Sequence, residues 1–251
     1  MAECQVLVDY HNLHRARMPS FSRPARRSSM DGDTVNFIIE QLLSGLGGAL
    51  RRLPVPPPDR LVVRLYGGWF QEARLTDDAQ MVQRAIRSAP SRIGRCRFRC
   101  ELAYSLLTKP DVLITHTLRQ KQRTMDLRIH GSLPGCALPE QCHVLALKRL
   151  LDSRRCPETY CPADMSMALK GHEQKCVDVH MACDLLTLAQ DGEDAPILLV
   201  TDDTDLVPAM IYAISVRERP ITWAFMRPIS QNPYRTMLED LDVQVLSLFD
   251  S

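Results

Sequence analysis

No stretch of this sequence approaches the ~20 consecutive apolar residues that a membrane-spanning helix requires, so a helical span is excluded and no membrane partner is expected. Net charge is nearly lacking as well: 31 Lys and Arg stand against 30 Asp and Glu, a formal +1. No overall field therefore draws the chain to nucleic acid or to a membrane surface, and any polyanion site must come from local clusters of basic residues. Several phosphate-handling signatures are missing. There is no G-x-x-x-x-G-K-[ST] loop, no G-x-G-x-x-G after the first strand-like run, and no G-x-S-x-G elbow. Nothing at the start reads as a secretory leader, because the run Gln5 to Val8 is cut off by Asp9. With nine cysteines, an odd number, a reducing cytoplasmic location is expected rather than a disulfide framework. Repeats and low-complexity segments are absent.

What is present is enough apolar residue, 45%, for one good core. Strand-like runs alternate with helical patterns. Gln5–Val8 is a short apolar run ending at Asp9. Asp33 to Leu53 has helical spacing, with Asp33 as its N-cap. Arg60 to Phe70 reads as a second strand with a bend at Gly67-Gly68. Thr76 to Ser88 is an amphipathic helix opening on acids, and Arg92 to Tyr104 a third strand. Val112–Ile114 could be a further strand and His143–Leu151 a helix. From His172 onward the order is a helix through Val177 to Leu188, strand Ile197–Val200, helix Asp205–Arg217, strand Ile221–Met226, helix Tyr234–Glu239 and strand Val243–Leu248. Such alternation argues an α/β chain with a parallel sheet.

Basic residues, mostly Arg, cluster in two places. His14 to Arg27 carries Arg15, Arg17, Arg23, Arg26 and Arg27 among prolines and reads as a loop, either a solvated linker or an arm that holds phosphates. On Arg92 to Tyr104, arginines alternate against Cys96, Phe98 and Cys100, which fits a solvated sheet edge or a phosphate-facing rim. Cys136, Cys142, Cys156 and Cys161 flank the 143–151 segment with spacings looser than most zinc sites. They are incidental thiols or, less in keeping with the spacing, a structural Zn²⁺ site.

Acids gather where strands should end. Asp9 follows the first strand, where it either forms a turn or faces a ligand outside the carboxyl end of the sheet. Ile197–Val200 runs into Asp202, Asp203 and Asp205, and Asp178 lies on the helix before it. Carboxylates crowded at a buried strand end oppose one another's ionisation, and a hard divalent cation with oxygen ligands relieves that. Asp184, six positions beyond Asp178, lies about 120° around the helix and is expected to anchor it instead. Lys175, about one turn before Asp178, could steady that carboxylate or touch a phosphate.

The segments VLVDYHNL, KCVDVHMACDLL and LLVTDDTDLVPAM together resemble the NYN domain, a branch of the PIN-like nucleases. The resemblance covers the first strand and roughly 172–226; residues 70–171 match only as generic α/β. It implies a Rossmann-like three-layer α/β/α fold with a mainly parallel central sheet. All of 1–251 would form a single domain, with a basic loop at 14–30 and a Cys-containing insert at about 130–171. It also implies a metal-dependent endoribonuclease using Mg²⁺ or Mn²⁺, with RNA, single-stranded or structured, as substrate. By position, Asp9, Asp178, Asp203 and Asp205 match the acids of the catalytic and metal site. Asn12, Lys175, Asp184 and Thr201 match supporting positions. Asp202 stands where the motif has Gly, adding a charge and a Cβ at a tight turn, and Leu206 replaces its Phe. The competing readings are a non-catalytic RNA-binding module that keeps the fold, and a Rossmann-like phosphatase acting on a small molecule. A homo-oligomer is among the states the sequence allows.

Overall fold

The computed structural model describes residues 3–17, 32–53, 56–122, 132, 135, 137–142, 144–145, 160–161, 170–191, 195–227 and 233–249. They fall into two compact units, one of residues 1–117 with 174–251 and one of residues 118–173. The first unit is α/β. Its strands are β1 (Glu3–Asp9), β2 (Arg60–Tyr66), β5 (Arg92–Ile93), β6 (Cys96–Leu102), β9 (Ile197–Val200), β10 (Ile221–Phe225) and β11 (Gln244–Ser247). A small ribbon of β3 (Phe70–Gln71) and β4 (Arg74–Leu75) lies apart from them. The helices are α1 (Tyr10–Arg17), α2 (Gly32–Leu50), α3 (Asp77–Ser88), α4 (Val177–Gln190), α5 (Val207–Arg217) and α6 (Arg235–Asp240).

The seven strands form one sheet in the order β11-β10-β9-β1-β2-β6-β5, parallel throughout except for β5. β1 is in the middle. From it the chain adds strands on one side (β2, β6) and later on the other (β9, β10, β11), so β1 and β9 flank the switch point where α/β sheets hold ligands. Central strands are buried along their length, as ILLV in β9 and ITWAF in β10 show, because both faces are covered. Alternate residues feed two core clusters. Val6, Val8, Val63 and Val200 join Leu13 of α1, Ile38 and Leu42 of α2 and Val82 of α3. Leu7, Leu199 and Trp223 join Met181 of α4, Met210 of α5 and Leu238 of α6.

The second unit contains β7 (Leu118–Gln122) and β8 (Lys170–Gln174), which form a two-stranded sheet, and a 3-10 turn at Pro139–Gln141. An exposed pair, Arg119 with Glu173 at 2.9 Å, links its strands. Among the described residues no helix is long and apolar enough to cross a membrane.

Five expectations change. Residues 14–17 belong to α1 rather than to a loop: Tyr10 and Leu13 bury one side of the turn, and arginine is a good helix former. Asp33 lies within the first turn of α2, not before it. Arg92 to Tyr104 is a hairpin, β5 antiparallel to β6, turning at Gly94 with φ +59°. Val112–Ile114 forms only an isolated bridge, Ser105 with Leu113. A 3-10 turn, Thr204–Leu206, precedes α5 where a helix from Asp205 was expected. The 143–151 helix falls outside the described residues except at 144–145.

Two glycines of α2 separate packing from propensity. A Cβ on Gly45 would stand 2.8 Å from Leu248 Cγ and 2.9 Å from the Leu248 carbonyl oxygen, whereas one on Gly48 meets only an Arg51 nitrogen at 3.9 Å. Alanine gains about 1 kcal/mol of helix propensity at either site, but overpacking against backbone costs about 1–3 kcal/mol. Gly45→Ala should therefore lower the urea-unfolding free energy and Gly48→Ala raise it by up to about 1 kcal/mol. Equal effects of the two would show that the close approach is not limiting.

Candidate functional site

Asp9 is the last residue of β1, and the chain turns at once into α1. Its Oδ1 accepts the Asn12 amide at 3.0 Å, so the carboxylate caps the turn that carries Asn12. The Asn12 carboxamide donates to Asp9 Oδ2 and also to Thr201 Oγ1 at 3.2 Å. Thr201 is fully buried just beyond β9. Its hydroxyl donates to Asp9 Oδ2 at 3.5 Å and receives the Asp203 amide at 3.0 Å, while its carbonyl accepts the Trp223 indole N–H at 2.8 Å. Thus β1, β9 and β10 are tied at one level by side chains as well as by the ladder.

Asp203 caps the 3-10 turn, its Oδ1 accepting the Asp205 amide at 2.9 Å. Asp178 lies in the first turn of α4, where the positive helix end favours a carboxylate. The residue before that helix, Cys176, takes the left-handed conformation with φ +61°, which non-glycine residues adopt at some strain. Carboxylate oxygens of Asp9, Asp178 and Asp203 all come within 4.8 Å of one another. Asp205 lies outside this group and is exposed, though close enough for its charge to act on Asp178.

The electrostatics follow from burial and like charge. Asp9, 5% exposed, has its carboxyl pushed up to about 6, chiefly by burial; the Asn12 amide opposes the shift, and Asp178 and Asp203 add to it. Asp178 is raised by partial burial, then by Asp203 and Asp205. Two carboxylates that resist ionising beside a third make an all-oxygen donor set suited to a hard divalent cation.

Asp184 is not among the acids that meet. It is fully buried on the inner side of α4, where Oδ2 accepts the Tyr66 hydroxyl at 2.8 Å and Oδ1 accepts the Leu107 amide at 2.8 Å. Arg64 Nη2 stands 3.3 Å and His180 Nε2 3.4 Å from Oδ2. Burial alone would raise its pKa, but His180, the Leu107 amide, Arg64 and Tyr66 together hold it below the usual carboxylate range. Arg64 continues the network to Glu101 at 2.9 Å and to the Ser105 carbonyl at 2.7 Å. The helix that carries Asp178 is therefore bolted to β2 and to the segment after β6. Arg64, Tyr66 and His180 escaped the sequence reading. The signals were there: Arg64 and Tyr66 alternate on one face of a strand, and His180 is four residues before Asp184 on one helix face.

The remaining candidates are scattered. Lys175 lies three residues before Asp178, its amide donating to the Thr117 carbonyl at 3.0 Å. Arg15 is exposed on α1, about 9 Å along that helix from Asp9. Arg17 ends α1, and Arg23, Arg26 and Arg27 fall outside the described residues. The β5–β6 arginines do not flank the acids. Arg60, Arg97 and Arg92 line up across three strands at the level of Glu3, roughly 20 Å down the strands from Asp9. That placement is the solvated edge rather than a rim around the acids. Asp202 is not in the acid group and turns to the end of β10: its Oδ1 accepts the amides of Met226 at 2.8 Å and Arg227 at 3.2 Å, and its backbone has no positive φ. Of the cysteines considered for zinc, Cys142 is buried and Cys161 exposed, and Cys136 and Cys156 fall outside the described residues. Among the described residues no cysteine cluster of metal-site geometry occurs.

Two stability measurements separate these acids. Asp9 has a raised folded-state pKa, so it favours the folded state fully below about pH 4 and loses that contribution as pH rises through about 6. In EDTA, Asp9→Asn should therefore stabilise the protein at pH 7.5, by up to about 3 kcal/mol, with the gain fading by pH 4. A gain that is constant from pH 4 to 8 would contradict this. Asp184 has the opposite sign, its contribution being lost as pH falls through its depressed pKa. Asp184→Ala, which leaves Arg64 without a buried carboxylate, should cost about 3–5 kcal/mol in urea unfolding at pH 7.5. Asp203→Ala should cost far less.

No family model, curated protein or solved structure matches this chain.

Proposed function

We propose that this chain is a metal-dependent endoribonuclease that hydrolyses phosphodiester bonds in single-stranded or structured RNA. Its fold would be a Rossmann-like three-layer α/β/α arrangement of the PIN-like kind, and the NYN-like motifs support that assignment. The observation that carries the proposal is the meeting of Asp9, Asp178 and Asp203. Three residues from distant parts of the chain bring carboxylate oxygens within 4.8 Å at the switch point of a parallel sheet, with Asp9 buried and raised in pKa.

Asp9, Asp178 and Asp203 would hold Mg²⁺ or Mn²⁺, whose hard preference for oxygen the donor set meets. When bound, the ion lowers the pKa of a coordinated water and stabilises charge on the scissile phosphate. The residues of the chain do the positioning. Asn12 and Thr201 orient Asp9 through hydrogen bonds to Oδ2, leaving the carboxylate little freedom to rotate. The Asp205 amide orients Asp203, and the exposed Asp205 carboxylate can accept a hydrogen bond from water at the site mouth. Asp184 and Arg64 keep α4, and with it Asp178, in place. Arg15 and Arg17 on α1, with Arg23, Arg26 and Arg27 beyond, would hold the RNA backbone by charge. The thiols of Cys4, Cys96, Cys100, Cys161, Cys176 and Cys183 are in keeping with a reducing, cytoplasmic setting.

Labelled RNA incubated with Mg²⁺ or Mn²⁺ tests the reading. Wild type should cleave internally, and Asp9→Asn and Asp203→Asn should each lose 10²-fold or more, roughly the scale of removing one strong transition-state electrostatic contact. EDTA should abolish cleavage. If wild type and both variants bind RNA equally and none cleaves it, the protein is a non-catalytic RNA-binding module; activity confined to small phosphate esters would make it a phosphatase.

A further inference from the structure

The carboxyl end of β10 carries a cation to which the reaction above assigns no part. Arg227 comes two residues after β10. β10 runs parallel to β9 with Ala224 opposite Val200, so Arg227 follows β10 at the same end of the sheet at which Asp203 follows β9. Asp202 grips it from the β9 side. Asp202 Oδ1 accepts the Met226 and Arg227 amides, and its Oδ2, 3.3 Å from Arg227 Nε, is sealed from solvent and makes no hydrogen bond to any described residue. The Asp202 side chain is 4% exposed and that of Arg227 53%. The guanidinium thus pairs with Asp202 by charge at Nε, and its terminal Nη groups make no hydrogen bond to any described residue.

Two physical requirements converge on this residue. A polyanion approaching three clustered carboxylates meets repulsion, so a fixed cation on the same sheet end is needed to receive it. Arginine suits that task because its planar fork matches two phosphate oxygens, and one held in place by a carboxylate has given up its rotamer freedom before the ligand arrives. Resting on the reading of the acid site as an RNA-binding centre, we propose that Arg227, held by Asp202, is a phosphate-contacting residue of that site. Its Nη groups donate to the non-bridging oxygens of a backbone phosphate next to the one presented to Asp9, Asp178 and Asp203. Asp202 is then the positioning residue for Arg227 and not a fourth acid of the cluster.

The test uses the full chain, a fluorescein-labelled uridine 12-mer, and the variants Arg227→Ala, Arg227→Lys, Arg227→Gln and Asp202→Asn. In EDTA, Arg227→Ala and Arg227→Gln should each lower the slope of log affinity against log salt by about 0.7, the signature of one lost contact on a single strand, and Arg227→Lys should retain it. With Mn²⁺, loss of Arg227 should raise KM about tenfold with a smaller effect on kcat, and lysine should restore only part of this because it lacks the fork. Asp202→Asn, which keeps an acceptor for the two amides, should raise KM in the same direction. Mn²⁺ affinity, followed by its electron paramagnetic resonance signal, should stay within twofold for the Arg227 variants and fall sharply for Asp203→Asn. An unchanged salt slope and KM in Arg227→Gln, with only a lowered melting temperature, would make the pair purely structural and overturn the proposal. If wild type binds the 12-mer without cleaving it, the nuclease reading falls, while a slope lowered by about 0.7 still upholds Arg227 as a phosphate contact. No binding at all by wild type overturns both.

Discussion

Mutual repulsion among carboxylates that the fold forces together is the constraint around which this end of the molecule is built. Asp9 is almost fully buried, and two more acids stand within reach of it. Desolvation and like charge both oppose its ionisation, which is why its pKa climbs to about 6. A carboxylate left to itself in that position would rotate or draw away. Here it cannot, because the Asn12 amide, the Asn12 carboxamide and the Thr201 hydroxyl all fix it. The unfavourable charge is thus held in place by neutral hydrogen-bond donors.

The sheet makes this arrangement possible. Parallel strands end together, so β1 and β9 deliver Asp9 and, two residues beyond its level, Asp203 to one end of the sheet, at the switch in strand order. The third acid arrives differently, on a helix that could slide or tilt. Asp184 prevents that by accepting hydrogen bonds from Tyr66 and the Leu107 amide while pairing with Arg64. A buried ion pair of this kind is weak evidence of stability, since desolvation offsets much of its attraction. Its value here is geometric: a helix held through several directional bonds cannot drift, and Asp178 rides on its first turn.

Charge elsewhere obeys the same geometry. The arginine ladder at Arg60, Arg97 and Arg92 lies at the far end of the strands from the acids, and Arg97 and Arg92 are on the hairpin at the sheet edge, where charge deters pairing with another chain. Asp202, adjacent in sequence to a residue of the acid group, turns the other way and serves β10. Neighbours in an extended segment point to opposite sides, so adjacency in sequence is a poor guide to membership in a site.

Much of the architecture was legible in the residues alone. Apolar runs such as ILLV and ITWAF read as strands buried on both faces, the alternation of strands and helices led to a parallel sheet, and the 120° offset set Asp184 apart from Asp178. These are local or periodic properties, and short-range physics determines them. Local signals misled where partners decide the outcome. Leu13 makes a helix of residues 14–17 by packing into the core, and Gly94 breaks one basic strand into a hairpin. The stretch from Lys175 to Asp205 announced an acid cluster by itself. Only the tertiary structure decided which acids meet, which one bolts the helix, and which one turns to Arg227. Those outcomes depend on register and burial between segments far apart in the chain, and no spacing within one segment encodes them.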